Sequence, residues 1–408
     1  MTLVAVAPTP VATLRSPATI RERCGNILNA AEAGRSSHFR IDRQRLGAAA
    51  ARVEAVTRRR YPDLDIPYHS RWRHFQAGGV DRIAELDHAL TGRDEGACAR
   101  ARIDLAIVSV LLDAGAGPSW HYVERETGMH FTRSEGLGVA SFRAFISGAF
   151  SARRDDPLRA DAAALSRIDA PYLARLLQVE ASNAIVGLEG RAALLRRLGA
   201  ALVAREEVFD ELARPGGLFE TLIPDDENAI AAADLLHGLQ DGLASIWPTG
   251  NALDGVPLGD VWRHRHAGGD DRTAGWVPFH KLSQWLAYSL FEPFEWAGVG
   301  IVDRDRLTAL PEYRNGGLLL DTGVIRPIDP GITSATFEIG DELVVEWRAL
   351  TIALIDELVP LVRARLDAPE LALACILEGG TWAAGRELAQ ESRGGNPPLS
   401  IRSDGTVF

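Results

Sequence analysis

Lysine is nearly absent from this sequence of 408 residues, in which 43 of the 44 basic side chains are arginine and one is Lys281. An ammonium is a compact charge that can lose its proton on burial, whereas a guanidinium is a planar fork that stays charged. The single lysine is therefore either a leftover of an arginine-rich composition or a position where only an ammonium fits. Its neighbours in the sequence have to decide between the two.

An excess of positive charge is also absent. The net charge of −11 and the pI near 5.5 exclude broad binding to nucleic acid or to an anionic membrane, because both need a basic face. The sequence contains no apolar run of about 18 residues that would span a bilayer. Its apolar start is short, contains prolines and lacks a basic segment, so it is a poor candidate for a signal peptide.

Cysteines and catalytic signature motifs are equally scarce. Cys24, Cys98 and Cys375 lie far apart without a CxxC pair, which predicts reduced thiols in a cytoplasmic protein. A nucleophile elbow, P-loop, GxGxxG or HExxH motif does not occur. His264 and His266 have the His-x-His spacing of metal ligands, but no third ligand accompanies them. We expect neither a metal nor another cofactor.

Helical patterns dominate what is present, and they predict a mainly α protein with a few short strands. Ser16 and Pro17 mark a helix start and Gly34 its end. Further helices are expected at 99–115, in two segments within 170–209, and at 228–244, 279–293 and 341–366. The best strand signal is 316–329, and Asp404-Gly405 predicts a terminal hairpin. We expect an N-terminal lobe (1–150) and a C-terminal lobe (151–408), packed as one continuous domain.

Three clusters concentrate side chains that can bind or react with a small polar molecule. Arginines and aromatic rings alternate in 65–75, and a helix over 279–293 places Lys281 on one face with aromatic and amide neighbours. Charged residues also interrupt the apolar segments that follow residue 310, where they are costly unless they are paired or used. The alternative is that these groups form structural salt bridges. The candidates are His69, Arg71, Trp72, Arg73, Lys281, Gln284, Trp285, Tyr288, Glu312, Arg314, Asp321, Glu346 and Arg348.

Two resemblances accompany these clusters. The run "VPFHKLSQWL", followed by "LTALPEYRNGGLLLDTGVI" and "GDELVVEWRALTIALIDELV", resembles the C-terminal half of the queuosine 5′-phosphate N-glycosylases. Nearly the whole chain, including "IPYHSRWRHF" and "GGTWAAGRELAQ", more closely resembles the uracil catabolism protein family, which acts in a pathway that opens the uracil ring on ribose phosphate. The glycosylase resemblance implies a fold like that of the helix-hairpin-helix DNA glycosylases.

The glycosylase resemblance also implies roles for particular residues. Its lysine and glutamine fall on Lys281 and Gln284, its catalytic aspartate falls on Glu312, and its Tyr-Arg pair falls on Tyr313 and Arg314. Its late Glu-x-Arg falls on Glu346 and Arg348. Glutamate at 312 is one methylene longer than aspartate, so either the pocket differs or the acid has moved, for example to Asp321.

The resemblances together imply an N-glycosidase that acts on a phosphorylated ribonucleoside-like molecule. Lys281 with Arg71, Arg73 or Arg314 would bind the 5′-phosphate, and Trp72, Trp285 and Tyr288 would exclude water from the pocket. Pathway logic implies that the substrate is a ribosylurea phosphate, which would yield urea and ribose 5-phosphate. The alternatives are a metal-dependent amidohydrolase acting on a ureido acid and a non-catalytic nucleotide-binding scaffold. Nothing in the sequence indicates an oligomeric state.

Overall fold

The computed structural model describes residues 8–224 and 228–402, which group into two compact units. The first unit contains residues 8–67, 249–281 and 305–402. The second contains residues 68–224, 228–248 and 282–304. The chain passes from one unit to the other at Lys281, the first residue of a helix. The predicted lobe boundary near residue 150 stays a prediction.

Helices make up most of the described chain, which confirms the mainly α prediction. None of them combines the length and the apolar composition that crossing a bilayer requires. In chain order they are α1 (Pro10–Arg15), α2 (Pro17–Glu32), α3 (Leu46–Arg60), α4 (Trp72–Phe75), α5 (Arg82–Ala89), α6 (Glu95–Leu111), α7 (Arg133–Ile146), α8 (Ala162–Leu165), α9 (Ala170–Leu176), α10 (Leu188–Ala204), α11 (Glu206–Phe209), α12 (Leu218–Leu222), α13 (Ala232–Leu243), α14 (Lys281–Trp296), α15 (Tyr313–Asp321), α16 (Glu342–Leu366), α17 (Leu373–Ile376) and α18 (Trp382–Arg393).

The strands are short, and every sheet in the described ranges has two strands. They are β1 (Phe39–Ile41), β2 (His121–Val123), β3 (His130–Thr132), β4 (Ala229–Ala231), β5 (Ala252–Leu253), β6 (Val256–Pro257), β7 (Val261–Arg263), β8 (Trp276–Pro278), β9 (Gly300–Val302), β10 (Ile325–Pro327), β11 (Thr336–Phe337) and β12 (Ser400–Ile401). Strand β1 pairs antiparallel with β10, β2 with β3, β5 with β6 and β7 with β8. Strands β4 and β9 pair in parallel, as do β11 and β12.

The first unit is built around α16, which is buried at almost every position from Leu343 to Ile355. Helices α2 and α3 pack against it. Helix α15 lies close to α16 and α18 because two glycines leave room for it. A Cβ on Gly316 would lie 2.7 Å from the ring of Trp347, and one on Gly385 would overlap the carbonyl of Arg314. Because glycine has no side chain at these two positions, α15 packs closely against its neighbours, and this packing fixes the start of the helix.

The second unit packs α6, α7 and α10 around buried apolar side chains, with α4 against α7. A buried carboxylate on α6, Asp104, accepts hydrogen bonds from Arg214 and from the backbone N–H groups of Ala160 and Gly216. Burial raises the pKa of Asp104, and Arg214 opposes this shift. The ion pair thus ties two loops to α6 and serves the fold of this unit.

The helix prediction after Ser16 is confirmed in detail. Ser16 accepts a hydrogen bond from the N–H of Ala18, and α2 runs from Pro17 to Glu32. The strand predicted over 316–329 is wrong for most of its length, because 316–321 lies in α15 and only Ile325–Pro327 forms a strand. The predicted turn at Asp404-Gly405 lies outside the described residues.

Candidate functional site

Glu312 lies directly before α15 and caps its N-terminus. Its Oε2 accepts the backbone N–H of Arg314 (2.7 Å), and its Oε1 accepts that of Asn315 (2.5 Å). The Asn315 amide donates to the Leu310 carbonyl (3.0 Å), which fixes the preceding turn. Capping by a carboxylate also places negative charge where the helix dipole favours it. The backbone therefore holds the carboxylate in one orientation.

Arg314 is a buried cation that has no acidic partner among the residues that the structure describes. Its side chain is one of the buried charged groups of the first unit, at 3% exposure. Nη1 donates to the Gly395 carbonyl (3.2 Å), and the guanidinium lies 4.7 Å from the ring centroid of Tyr313. Nε has no hydrogen-bond partner in the described ranges, where Arg314 forms no salt bridge either. A buried charge without a counter-ion is costly, so an anion that bound to the Arg314 guanidinium would stabilise it.

Asp321, the alternative acid, lies at the other end of α15 and forms a two-pronged ion pair. Its two oxygens accept from Nη1 and Nη2 of Arg393, both at 2.7 Å. The guanidinium of Arg393 neutralises the charge of the Asp321 carboxylate, so Asp321 belongs to a structural ion pair.

Lys281 is held at the start of α14 by Asp260, a residue that precedes β7. Asp260 Oδ2 accepts the backbone N–H of Lys281 (3.0 Å), and Arg348 donates to both carboxylate oxygens at 2.8 and 2.7 Å. Trp262 adds a hydrogen bond from its indole N–H (2.7 Å). Burial alone would raise the pKa of Asp260, but Arg348 and these donors outweigh it and hold the pKa at about 2.

Asp260 also fixes the turn before Lys281, through its backbone carbonyl. The backbone N–H groups of Phe279 and His280 donate to the Asp260 carbonyl at 3.0 and 3.2 Å. His280 has a φ of 48°, which is unusual for a residue with a side chain, and its Nε2 donates to the Leu14 carbonyl (3.0 Å). Burial lowers the pKa of His280. A left-handed residue that its surroundings hold in place often marks a functional segment.

Glu346 is buried in the middle of α16 and accepts two hydrogen bonds. Ser36 donates its hydroxyl to Oε1, and His264 Nε2 lies 3.2 Å from Oε2. His264 Nδ1 accepts the backbone N–H of His266 (3.1 Å), so the ring proton lies on Nε2 and points to Glu346. The two histidines thus take part in a hydrogen-bond network. Within the described ranges no three His, Cys, Asp or Glu side chains are grouped as metal ligands.

Arg71, the residue before α4, contacts α6, the residues that follow α6, and α14 in the second unit. Its Nε donates to Ser109 (2.6 Å), its Nη1 lies 3.2 Å from Asp113 Oδ2, and its backbone N–H donates to Ser289 (2.9 Å). The Cζ atom lies 5.7 Å from the centre of the Trp285 ring. Because Asp113 compensates the charge of Arg71, the guanidinium is a weaker ligand for phosphate than the sequence suggests.

The other predicted residues of the second unit are mainly buried. Arg73 pairs with Glu292 (2.5 Å), and the Trp72 indole donates to the Ser289 carbonyl (2.8 Å). His69, Gln284 and Tyr288 are buried in the same unit. The first unit contains Lys281, Glu312, Arg314, Asp321, Glu346 and Arg348, and the second contains His69, Arg71, Trp72, Arg73, Gln284, Trp285 and Tyr288.

Sequence reasoning missed Asp260, Ser36 and Asp113. Asp260 lies 21 residues before Lys281 and 88 before Arg348, so no local pattern links them. Asp113 follows an apolar helix and reads as an ordinary helix end. The one available signal was the segment "PLGDVWRH", where an aspartate precedes a short strand that also carries Trp262 and His264.

Comparison with known proteins gives one family and two close relatives. The family described as "Protein of unknown function (DUF1688)" matches residues 13–408. "Uracil catabolism protein 4" of Lachancea kluyveri is 38% identical over 435 residues, which cover 98% of this chain and 99% of that protein. "Protein urg3" of Schizosaccharomyces pombe is 38% identical over 412 residues, again 98% of this chain and 99% of the relative.

Proposed function

The chain belongs to the DUF1688 family, and on that premise we propose that it acts in uracil catabolism, the process that the name of its Lachancea relative states for that protein. In this role it cleaves the N-ribosyl bond of a ring-opened uracil ribonucleotide, a ribosylurea phosphate. The products are urea and ribose 5-phosphate.

The reaction is a hydrolysis that needs no further reactant. The bond between C1′ and the urea nitrogen breaks, the electron pair stays on the nitrogen, and the nitrogen takes up a proton. The oxygen of a water molecule forms the new bond to C1′ and loses a proton. Positive charge grows on the sugar ring as the old bond breaks. A fixed negative charge near the ring lowers the free energy of that transition state.

Glu312 is the carboxylate that we assign to this role. The observation that carries the proposal is the start of α15, where the backbone orients Glu312. Arg314, two residues later, is a buried cation with no acidic partner within residues 8–224 and 228–402. An acid and an uncompensated cation so close in the chain suit a substrate that develops positive charge on its ribose and carries a phosphate on the same ribose.

Lys281 and Arg314 are the phosphate ligands in this proposal. Arg71, Arg73 and Arg348 are paired with Asp113, Glu292 and Asp260, so their charges are already compensated. Asp260 accepts a hydrogen bond from the backbone N–H of Lys281, and it thereby fixes the backbone from which the side chain of Lys281 extends. Asp260 is a positioning residue in this account.

The test is an assay of the purified protein with the ring-opened nucleotide. We expect equal amounts of urea and ribose 5-phosphate, and much slower release from the ribosylurea that lacks the phosphate. A scaffold protein would bind the nucleotide without releasing urea. An amidohydrolase would release ammonia or carbamate and leave the N-ribosyl bond intact.

A further inference from the structure

Three buried polar atoms around Arg71 lack hydrogen-bond partners within the described part of the second unit. They are Arg71 Nη2, Trp285 Nε1 and Asp113 Oδ1. Arg71 is fully buried, Trp285 is 7% exposed, and the Asp113 side chain is 6% exposed. Each unmade buried hydrogen bond costs about 1–3 kcal/mol. Three of them on neighbouring side chains need an explanation.

The side chains of Asp113 and Trp285 that carry two of these atoms are both neighbours of Arg71. Arg71 Nη1 lies 3.2 Å from Asp113 Oδ2, and Arg71 Cζ lies 5.7 Å from the Trp285 ring centre. Ser109 and the Ser134 carbonyl already bind Nε and Nη1, so they orient the guanidinium and leave Nη2 unused. Gly138 lets α7 pack closely against α4, because a Cβ on Gly138 would lie 2.7 Å from the Cβ of His74 and in ordinary contact with Arg71 Cζ, at 3.5 Å.

The chemistry of the unused atoms restricts what can satisfy them. Two are N–H donors and one is a carboxylate acceptor. A phosphate would satisfy the donors but would meet the negative charge of Asp113. An ammonium would satisfy Asp113 but would meet the donors. A neutral group with a carbonyl oxygen and an adjacent N–H satisfies all three atoms.

We propose that Arg71, Trp285 and Asp113 form a binding site for a small neutral amide or ureide. The carbonyl oxygen accepts from Arg71 Nη2 and Trp285 Nε1, and an amide N–H donates to Asp113 Oδ1. The simplest ligands of this class are urea and N-methylurea. The inference does not depend on the proposed reaction, since it rests on contacts within the second unit.

The test follows N-methylurea by saturation-transfer NMR, together with the indole N–H signals of the wild-type protein labelled with ¹⁵N-tryptophan. Trp285→Phe keeps a ring and removes the donor, and its missing indole signal identifies that of Trp285. Trp276→Phe is the matched control, because Trp276 Nε1 is also buried and has no hydrogen-bond partner in the described ranges. Its ring lies 3.6 Å from Arg263 Cζ, and Asp113 is the carboxylate with an unpaired buried oxygen among the described residues.

We expect saturable binding of urea and N-methylurea in the millimolar range, with a shift confined to the Trp285 indole signal. Trp285→Phe should lower the affinity about tenfold, the effect of one lost hydrogen bond, and Trp276→Phe should leave it unchanged. Acetone, a carbonyl without an N–H, should not bind. The proposal would be overturned if Trp285→Phe bound N-methylurea with the affinity of wild type, or if acetone bound as well as N-methylurea. It would also be overturned if the Trp285 indole signal showed contact with buried water and did not shift when N-methylurea was added.

Discussion

The carboxylate of Glu312 accepts a hydrogen bond from the backbone N–H of Arg314 at 2.7 Å, so the acid is oriented by a residue whose own side chain is a buried cation with no acidic partner in the described part of the chain. This relationship is local, because both residues belong to the first turn of α15 and the residue before it. Gly316 in α15 and Gly385 in α18 allow this turn to pack closely against α16 and α18, and this packing holds the turn in place.

Replacing Glu312 by Gln should lower kcat by about 10²–10³-fold, the range seen when one preorganised electrostatic group is lost. Glutamine keeps a carbonyl oxygen that can cap α15, so the helix start survives while the negative charge disappears. The measurement is the rate of urea release at saturating substrate. Glu338→Gln is the control, because Glu338 is an exposed acid of the same unit that pairs with exposed Arg402.

Asp321→Asn separates the two candidate acids. It breaks the ion pair with Arg393 and should lower the thermal midpoint of unfolding while kcat of the folded protein stays within about threefold of wild type, because this acid acts on stability. A loss of kcat in Asp321→Asn that equals the loss in Glu312→Gln would mean that the catalytic carboxylate lies at the other end of α15.

Arg314→Met should raise KM for the phosphorylated substrate by about 10–100-fold, because a charge-assisted hydrogen bond is worth roughly 1.5–3 kcal/mol. The KM of the substrate without phosphate should hardly change. Arg326→Met provides the control, since Arg326 is exposed and pairs with Asp42 at the surface. An equal rise in KM for both substrates would argue that Arg314 only supports the fold.

Lys281→Arg keeps the positive charge and changes its shape from a compact ammonium to a planar fork. We expect kcat/KM to fall at least about tenfold, because a hydrogen-bond geometry worth about 1.4 kcal/mol is lost. Circular dichroism should show unchanged helicity. Activity close to that of wild type would mean that arginine can replace lysine at position 281, and that the function does not require an ammonium there.

Because the pKa of Asp260 is lowered in the folded protein, we expect the stability of the protein to depend on pH. Its pKa is about 2 in the folded protein and 3.8 without the fold, so its contribution is present above about pH 4 and is lost as the pH falls toward 2. A shift of this size corresponds to about 2 kcal/mol. The difference in unfolding free energy between wild type and Asp260→Asn should therefore shrink over this range. Urea unfolding followed by tryptophan fluorescence measures it, and a constant difference would contradict the prediction.

Local signals account for what the sequence could predict of the fold. Ser16 and Pro17 fix the start of α2 through contacts with their immediate neighbours, and the long apolar segment of α16 is recognisable without its partners. The strand predicted over 316–329 failed because "GGLLLD" has two glycines, which are poor helix formers. In the folded chain Gly316 allows α15 to pack closely against Trp347 of α16, and that packing outweighs the local preference.

The candidate site was only partly predictable for a similar reason. Resemblance pointed to Glu312, Arg314, Lys281 and Arg348, but it gave no partner for any of them. Asp260 joins Lys281 to Arg348, which are distant in the sequence, and Asp113, which lies just after the end of α6, compensates the charge of Arg71. These ion pairs form between residues that only tertiary packing brings together, so the spacing of residues in the sequence does not reveal them. They determine which arginines remain uncompensated and can bind an anionic ligand.

Single-turnover hydrolysis of ribosylurea 5-phosphate, with urea and ribose 5-phosphate measured from the same reaction, tests whether the protein cleaves the N-ribosyl bond with the help of Glu312. We expect wild-type protein to release both products in equal amounts, and we expect Glu312→Gln, which should still bind the substrate, to release them about 10²–10³-fold more slowly. An intact N-ribosyl bond after incubation with wild-type protein, or equal rates in wild type and Glu312→Gln, would contradict this expectation.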